Sequence, residues 1–188
     1  MKKTTFASAI LLAGTTLTAL AHGNATGIVK ERMESMMVMG DAVKSVTPMM
    51  RGEIAFDADA LREAARIFQA HSGTALTEKF PEGSGGKPSE AKDAVWQEWS
   101  RFTDLAEQLA TYARGLEMAA GNGLLAGGGM SAGSMMGGGS MMGGGSMMGG
   151  TAGMMSAKDI GAMPADAAFN MTTQVCSACH ARFRAEDD

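Results

Sequence analysis

Apolar side chains recur at spacings of three and four residues between about 90 and 120, and this repeat constrains the fold more than any other sequence feature. The residues that follow it are Val95, Trp99, Phe102, Leu105, Leu109, Tyr112 and Leu116. Charged residues fall on other faces of the segment, at Glu98, Arg101, Asp104 and Glu107. Because an α-helix has about 3.6 residues per turn, the pattern predicts a long helix with one apolar face.

Two earlier segments show the same period. The first runs from about 28 to 50 and places on one face Val29, Met33, Met36, Met39, Val43, Val46 and Met50. The second follows Asp57, whose carboxylate can cap a helix N-terminus, and ends before Pro81. Its apolar residues are Leu61, Ala65, Phe68, Ala75 and Leu76. We expect a helix in each segment, and a loop in the glycine-rich stretch 81–88 that follows.

A fourth helix is predicted near the C-terminus. It begins close to Pro164, a residue suited to a first helical turn, and continues through Phe169 and Val175 to about Arg184. None of the four segments is separated from the next by a convincing strand. The sequence therefore predicts an all-α protein whose helices form a bundle.

The N-terminus has the features of an export signal. Lys2 and Lys3 precede an uncharged, largely apolar stretch that ends in Ala19-Leu20-Ala21. This pattern predicts a signal peptide over residues 1–21, a mature protein over 22–188 and a periplasmic location. No later segment approaches the roughly 18 to 20 apolar residues that a membrane-spanning helix needs. The formal net charge of −4 argues against a nucleic-acid partner.

The stretch between the third and fourth helices has an unusual composition. Fifteen of the residues 121–153 are glycine, and Ser-Met-Met recurs with a period of six. Ordering so much glycine has a high entropic cost, so we interpret 121–157 as a flexible insertion. Thioethers are soft ligands suited to Cu(I), and nine methionines lie between Met130 and Met155. The tract therefore supports a hypothesis of copper binding. The alternatives are that it is a simple tether or that its methionines consume oxidants.

The last helix contains a short motif that carries chemistry, Cys176-Ser177-Ala178-Cys179-His180. This C-x-x-C-H spacing is that of c-type haem attachment. Positions three and four apart share a helix face, so both thiols can form thioethers with one haem while the imidazole of His180 reaches its iron. A redox dithiol or a zinc half-site is the alternative, but no second cysteine pair is present for zinc. Any further protein ligand to the iron must come from upstream, because no His or Met follows His180.

A C-x-x-C-H motif on the last of four helices resembles the class II cytochromes c, the cytochrome c prime family. Val29-Lys30-x-Arg32-x-x-x-Met36 resembles the first-helix signature of that family, and Thr47 to Glu53 followed by Phe56-Asp57-Ala58 resembles its turn into the second helix. Other positions that match the family are Trp96, Phe102, Phe169 and Arg184. The resemblance covers most of 28–120 and 160–186. It implies an antiparallel up-down four-helix bundle with covalently attached haem c.

The resemblance also implies roles for individual residues. The counterpart of Arg32 lies beside a haem propionate, and that of Arg184 lies near the proximal histidine; the alternative for each is a solvated helix charge. Met36 is the residue that decides the function. Bound to iron, its thioether would make the haem six-coordinate and suited to electron transfer. Packed without binding, it would leave the iron open to nitric oxide or carbon monoxide.

The sequence thus predicts a periplasmic electron carrier that cycles between Fe(III) and Fe(II) and exchanges electrons with another redox protein. A five-coordinate protein that binds NO or CO is the first alternative, and a copper-binding module is the second. Relatives are often homodimers, so a homodimer is an expectation from the resemblance. No nucleophile triad, phosphate loop or paired-carboxylate site is present, so we expect no enzymatic activity. His22 and His71 are weaker metal-ligand candidates, each more simply explained as incidental or exposed.

Overall fold

The computed structural model describes residues 25–125 and 154–185, and all regular secondary structure in these ranges is helical. The long helices are α1 (Gly27–Met50), α2 (Ala58–Ala70), α5 (Trp99–Ala119) and α7 (Ala165–Phe183), and the short ones are α3 (Thr74–Thr77), α4 (Ala94–Gln97) and α6 (Ala157–Gly161). A 3₁₀ turn over Ala120–Asn122 extends α5. The predicted all-α bundle of four long helices is confirmed. The predicted signal peptide lies outside the described residues, as does most of the Gly/Met-rich tract.

Helix starts follow local capping chemistry. The carboxylate of Asp57 accepts hydrogen bonds from the backbone N–H groups of Asp59 at 2.8 Å and Ala60 at 3.1 Å, so it caps α2 as predicted. Ser156 and Asp159 form a reciprocal capping box at the start of α6. Pro164 precedes the first residue of α7. The caps of α2 and α6 satisfy backbone donors that would otherwise have no partner.

The second predicted helix is shorter than expected. It ends at Ala70, and a turn centred on Gly73 separates it from α3, which carries the buried Leu76. Gly73 has φ of +57°, and its N–H donates to the carbonyl of Ala106 at 2.9 Å. A Cβ there would lie 3.1 Å from the carboxylate of Glu107, a flexible side chain that can move aside. The positive φ is therefore what favours glycine, and the helix is interrupted there.

The third predicted helix is also interrupted. Glu98, with φ of −119° and ψ of 44°, separates α4 from α5. Trp99 was expected on the apolar face, but it is 40% exposed. Trp96 instead packs inward, and its indole N–H donates to the carbonyl of Phe80 at 3.0 Å. The break at Glu98 shifts the helical register, which places Trp96 rather than Trp99 against the interior.

Two groups of buried side chains hold the helices together. The main core lies between the four long helices and includes Val46, Leu61, Phe68 and Leu116. A second cluster lies at the end of the bundle near the C-terminus of α7 and consists of Leu76, Phe80, Val95, Phe102, Ala106 and Phe183. Helix α5 packs against α2, α6 and α7, so it is the central element. In the part of the chain that the structure describes, no helix combines the length and apolar character needed to cross a bilayer.

Candidate haem site

A cavity of about 520 Å³ opens beside the second cluster, between α1, the segment 80–91 and the end of α7. Pockets of a few hundred to a thousand Å³ accommodate small organic ligands. The apolar side chains that line it include Met33, Met36, Met37, Phe80, Phe102 and Phe183. Its polar lining includes Arg32, Glu90, Cys179, His180 and Arg184. Most of the residues proposed from the sequence therefore meet at one place.

The two cysteines lie three residues apart on α7 and are both free. Cys176 packs against the main core and Cys179 against the second cluster. Burial raises the pKa of the Cys176 thiol, and burial together with the neighbouring Cys176 raises that of Cys179 to about 11. The attacking thiol of a redox dithiol has a lowered pKa, and neither thiol shows one here, which argues against the dithiol alternative.

His180 lines the cavity, one residue after Cys179, and is exposed on its other side. Partial burial lowers the pKa of its imidazole, and the guanidinium of Arg184 lowers it further, while the carboxylate of Glu90 acts in the opposite direction. The net shift is downward, which favours the neutral imidazole at pH 7. A neutral ring nitrogen is the form that binds a metal.

The structure distinguishes between the neighbouring methionines of α1, which the sequence alone could not do. Met39 turns into the main core and is 7% exposed, so it does not face the cavity. Met33, Met36 and Met37 line the cavity, and Met37 is more than half exposed. Met36 packs against both the main core and the second cluster. Of the three, Met36 is thus the thioether best fixed by its surroundings.

Arg32 is buried, with only 4% of its surface exposed, and every N–H group of its guanidinium has a protein acceptor. Nε and Nη2 donate to the carbonyl of Lys79 at 3.0 and 2.7 Å, and Nη2 also donates to the hydroxyl of Ser84 at 2.6 Å. Nη1 donates to the Ser84 carbonyl at 3.2 Å and to the Ser89 hydroxyl at 2.7 Å. The guanidinium also lies 4.0 Å from the ring centroid of Phe80. It therefore holds the segment 79–89 against α1, and its role beside a propionate stays a prediction.

Arg184 forms an ion pair that sequence reasoning missed. Its Nε donates to Oε2 of Glu90 at 2.6 Å, and both residues line the cavity. Glu90 lies 94 positions earlier in the chain. No local pattern in the sequence marks it, because its place depends on how the segment before α4 meets the end of α7.

The remaining histidines do not contribute to the site in the described residues. His71 lies in the turn after α2 and does not line the cavity. It is half-buried rather than exposed, and its Nδ1 is buried without a hydrogen-bond partner among the described residues. His22 lies outside the described residues.

The lining fits haem c. Aromatic rings in edge-to-face contact form one wall, with centroids 4.7 Å apart for Phe80 and Phe102 and 5.4 Å apart for Phe102 and Phe183. Cys179 and His180 line the cavity, and Cys176 lies one helical turn earlier on the same helix, outside the lining. Haem needs an apolar cavity with one axial nitrogen, and these residues supply both.

Comparisons of the sequence with known proteins also support a haem c site. A family profile described as Cytochrome C′ matches residues 27–136. Cytochrome c′ from Pararhodospirillum photometricum is 31% identical over 96 residues, which cover 50% of this chain and 75% of that protein. Cytochrome c-556 from Agrobacterium tumefaciens (strain B2A) is 32% identical over 87 residues, 46% of this chain and 70% of the relative.

Solved structures share the fold. Cytochrome c′ from Thermochromatium tepidum superposes with a TM-score of 0.57 at 19% identity, covering 89% of this chain and 98% of that one. A nitric oxide complex of a variant cytochrome c prime from Alcaligenes xylosoxidans gives a TM-score of 0.57 at 18% identity, covering 85% and 94% of the two chains. The profile match ends inside the Gly/Met-rich tract, so it does not extend to α7.

Proposed function

The chain belongs to the cytochrome c′ family, whose members bind haem c with its iron, and from this premise we propose that it is a periplasmic electron carrier. One observation carries the proposal. Cys179 and His180 of α7 and the thioether-bearing Met36 of α1 line the same cavity. The cavity thus offers an imidazole and a thioether from two different helices.

Cys176 and Cys179 would hold the haem through thioethers, His180 would be the proximal iron ligand, and Met36 the distal one. Haem c supplies a one-electron Fe(III)/Fe(II) couple, and a thioether ligand raises its potential. The partner is another redox protein that gives or accepts one electron. The predicted signal peptide supports a periplasmic location for this exchange.

The residues around the site are held by close packing and hydrogen bonds. Phe80, Phe102 and Phe183 pack edge to face and exclude water from one wall of the cavity. Arg32 fixes the segment that carries Phe80 by five hydrogen bonds. Met36 is wedged between two apolar clusters. Closely packed side chains such as these move little when the charge of the site changes by one, which would favour fast electron transfer.

The alternative is a protein that binds NO or CO. It is favoured by the solved neighbours, among which a cytochrome c prime from Alcaligenes xylosoxidans is described as a nitric oxide complex. In that case Met36 would only pack over the open face. The difference between the two functions is thus whether one sulfur atom binds iron.

Optical and EPR spectra of the oxidised and reduced protein, repeated under carbon monoxide, test the proposal. We expect a low-spin spectrum with a sulfur-to-iron charge-transfer band and little response to carbon monoxide. Met36→Leu should convert the protein to a high-spin form that binds carbon monoxide readily, whereas Met33→Leu should leave the spectrum unchanged. A high-spin wild type that binds carbon monoxide as readily as Met36→Leu would instead support gas binding.

The copper hypothesis concerns residues that lie mainly outside the described ranges and stays a prediction. Cu(I) titration of the full chain against a deletion of 127–155 tests it. Loss of binding sites in the deletion would support copper binding by the thioethers. Equal binding by both proteins would rule it out.

A further inference from the structure

The chain that follows α7 is fixed to the segment before α4 by backbone pairing. The N–H of Lys92 donates to the carbonyl of Phe183 at 2.8 Å, and the N–H of Ala185 donates to the carbonyl of Glu90 at 2.7 Å. Between these bonds Ala91 and Arg184 form an isolated antiparallel bridge. The pairing fixes Glu90 beside Arg184, four residues after His180.

The side chains of Glu90 and Arg184 complete this arrangement at the edge of the cavity. They are joined at 2.6 Å, and their side chains are 40% and 45% exposed. Ion pairs as exposed as this contribute little to folding. Because both residues line the cavity together with His180, the pair is placed to act on the site rather than on stability.

We propose that Glu90 is a positioning residue that holds the Arg184 guanidinium beside His180 and offsets its positive charge there, and that it thereby sets the reduction potential of the site. The inference rests on the proposed function, because it takes His180 to be the iron ligand. A cation near the iron disfavours the oxidised state, which carries one more positive charge, and a carboxylate favours it. When both charges are present, their effects on the reduction potential nearly cancel. Each charge alone would shift the potential in the direction opposite to the other.

Arg184 also contacts His180 through the backbone, because its N–H donates to the His180 carbonyl at 3.0 Å. A second pair of the same residue types, Glu98 and Arg182, joins α7 to the start of α5. Neither of its members lines the cavity. The second pair therefore serves as a matched control from the same helix end.

The test is a redox titration of the haem-loaded protein carrying Glu90→Gln, Arg184→Gln or both. Glu90→Gln should shift the equilibrium toward the reduced form by at least about threefold, a rise of about 28 mV for one electron. Arg184→Gln should shift it toward the oxidised form, and the double variant should lie closer to wild type than either single variant. Glu90→Asp keeps the charge and should retain most of the wild-type potential.

The controls Glu98→Gln and Arg182→Gln should move the potential by much less than the cavity pair. The inference is overturned if Glu90→Gln and Glu98→Gln shift the potential equally, if Glu90→Gln lowers it, or if the two single effects simply add in the same direction. The absorption spectrum of the pyridine adduct is recorded for each protein. If no haem is attached to the wild type, the proposed function fails; if haem is attached and the potentials do not differ, only the role of Glu90 fails.

Discussion

Arg32 is the residue whose surroundings differ most from what its place in an amphipathic helix suggests. A charged residue on α1 would ordinarily face water, yet Arg32 is buried and its partners among the described residues are carbonyl and hydroxyl oxygens of the segment 79–89. Burial lowers the pKa of its guanidinium, but an arginine remains charged at any physiological pH. Its planar array of five donors fits the five bonds that it makes.

Arg32→Lys should therefore destabilise the protein although it keeps the charge. Lysine has three donors and lacks the planar fork, so some buried oxygens of the segment 79–89 lose their partner. Since hydrogen bonds to charged groups contribute about 1.5–3 kcal/mol, we expect a loss of about 2–4 kcal/mol in the free energy of unfolding by urea. Arg66→Lys is the control, because Arg66 is 57% exposed and pairs with Glu117 at the surface. A loss for Arg32→Lys no larger than for Arg66→Lys would contradict this account of the segment.

His71 gives a prediction for the pH dependence of stability. Burial lowers the pKa of its imidazole, and the ammonium of Lys79 lowers it further. The unfolded chain therefore takes up a proton first as the pH falls, and stability that is complete above about pH 6.5 is lost as the pH falls below it. His71→Gln should make the urea-unfolding free energy flatter between about pH 7.5 and 5. If the unfolding free energy of both proteins depends on pH in the same way, His71 does not contribute to this dependence.

At the scale of single residues, the motif Cys176 to His180 was predictable because its spacing alone carries the chemistry. Met36 could be named only through the family resemblance, and its separation from Met39 required knowing which side chain turns into the core. Glu90 could not be found from the sequence. Its significance comes from a backbone pairing between segments far apart in the chain, and no periodicity records such a contact.

The helices show where periodicity succeeds and where it fails. The bounds predicted for α1 and α7 agree closely with Gly27–Met50 and Ala165–Phe183. The predictions for the second and third helices ran through Gly73 and Glu98, where the structure has breaks. An apolar repeat continues across such a break, so the pattern alone does not reveal it. At Gly73 the backbone has a positive φ and donates a hydrogen bond to α5, a contact that is tertiary.

The packing of α6 on α5 depends on a single glycine. A Cβ added at Gly115 would lie 2.4 Å from the Cβ of Ile160 and 2.9 Å from the carbonyl oxygen of Ala157. Gly115→Ala should lower the free energy of unfolding by about 1–3 kcal/mol, the usual range for overpacking, because α6 must move away.

Gly121→Ala is the control for that prediction. Gly121 lies in the 3₁₀ turn after α5, away from the cavity, and a Cβ there meets only the guanidinium of Arg62 at an ordinary 3.7 Å. Alanine should stabilise the protein by about 0.4–1 kcal/mol because it restricts the unfolded chain. Thermal and urea unfolding of the two variants should therefore differ from wild type in opposite directions. The same sign for both would show that the close crossing of α5 and α6 is not what requires Gly115.

For the whole molecule, the fold class and the existence of a cofactor site were predictable, whereas the shape of the site was not. Four amphipathic segments and one C-terminal motif were enough to predict a helical bundle that binds haem. The cavity itself is assembled from α1, the segment 80–91 and the end of α7, and its walls depend on the irregular segment that Arg32 holds in place. Irregular segments have no period, so only the tertiary structure shows which of their residues face a ligand.

The most direct test is the mass and spectrum of the intact protein produced in a host that matures c-type cytochromes. After denaturation and acid extraction, the wild type should retain the mass of one haem and show the pyridine-adduct spectrum of haem c, whereas Cys176→Ala/Cys179→Ala should lose both. The central claim is that haem c is attached to Cys176 and Cys179. It would be contradicted by a wild-type protein that is colourless, has the mass of the polypeptide alone and carries two free thiols.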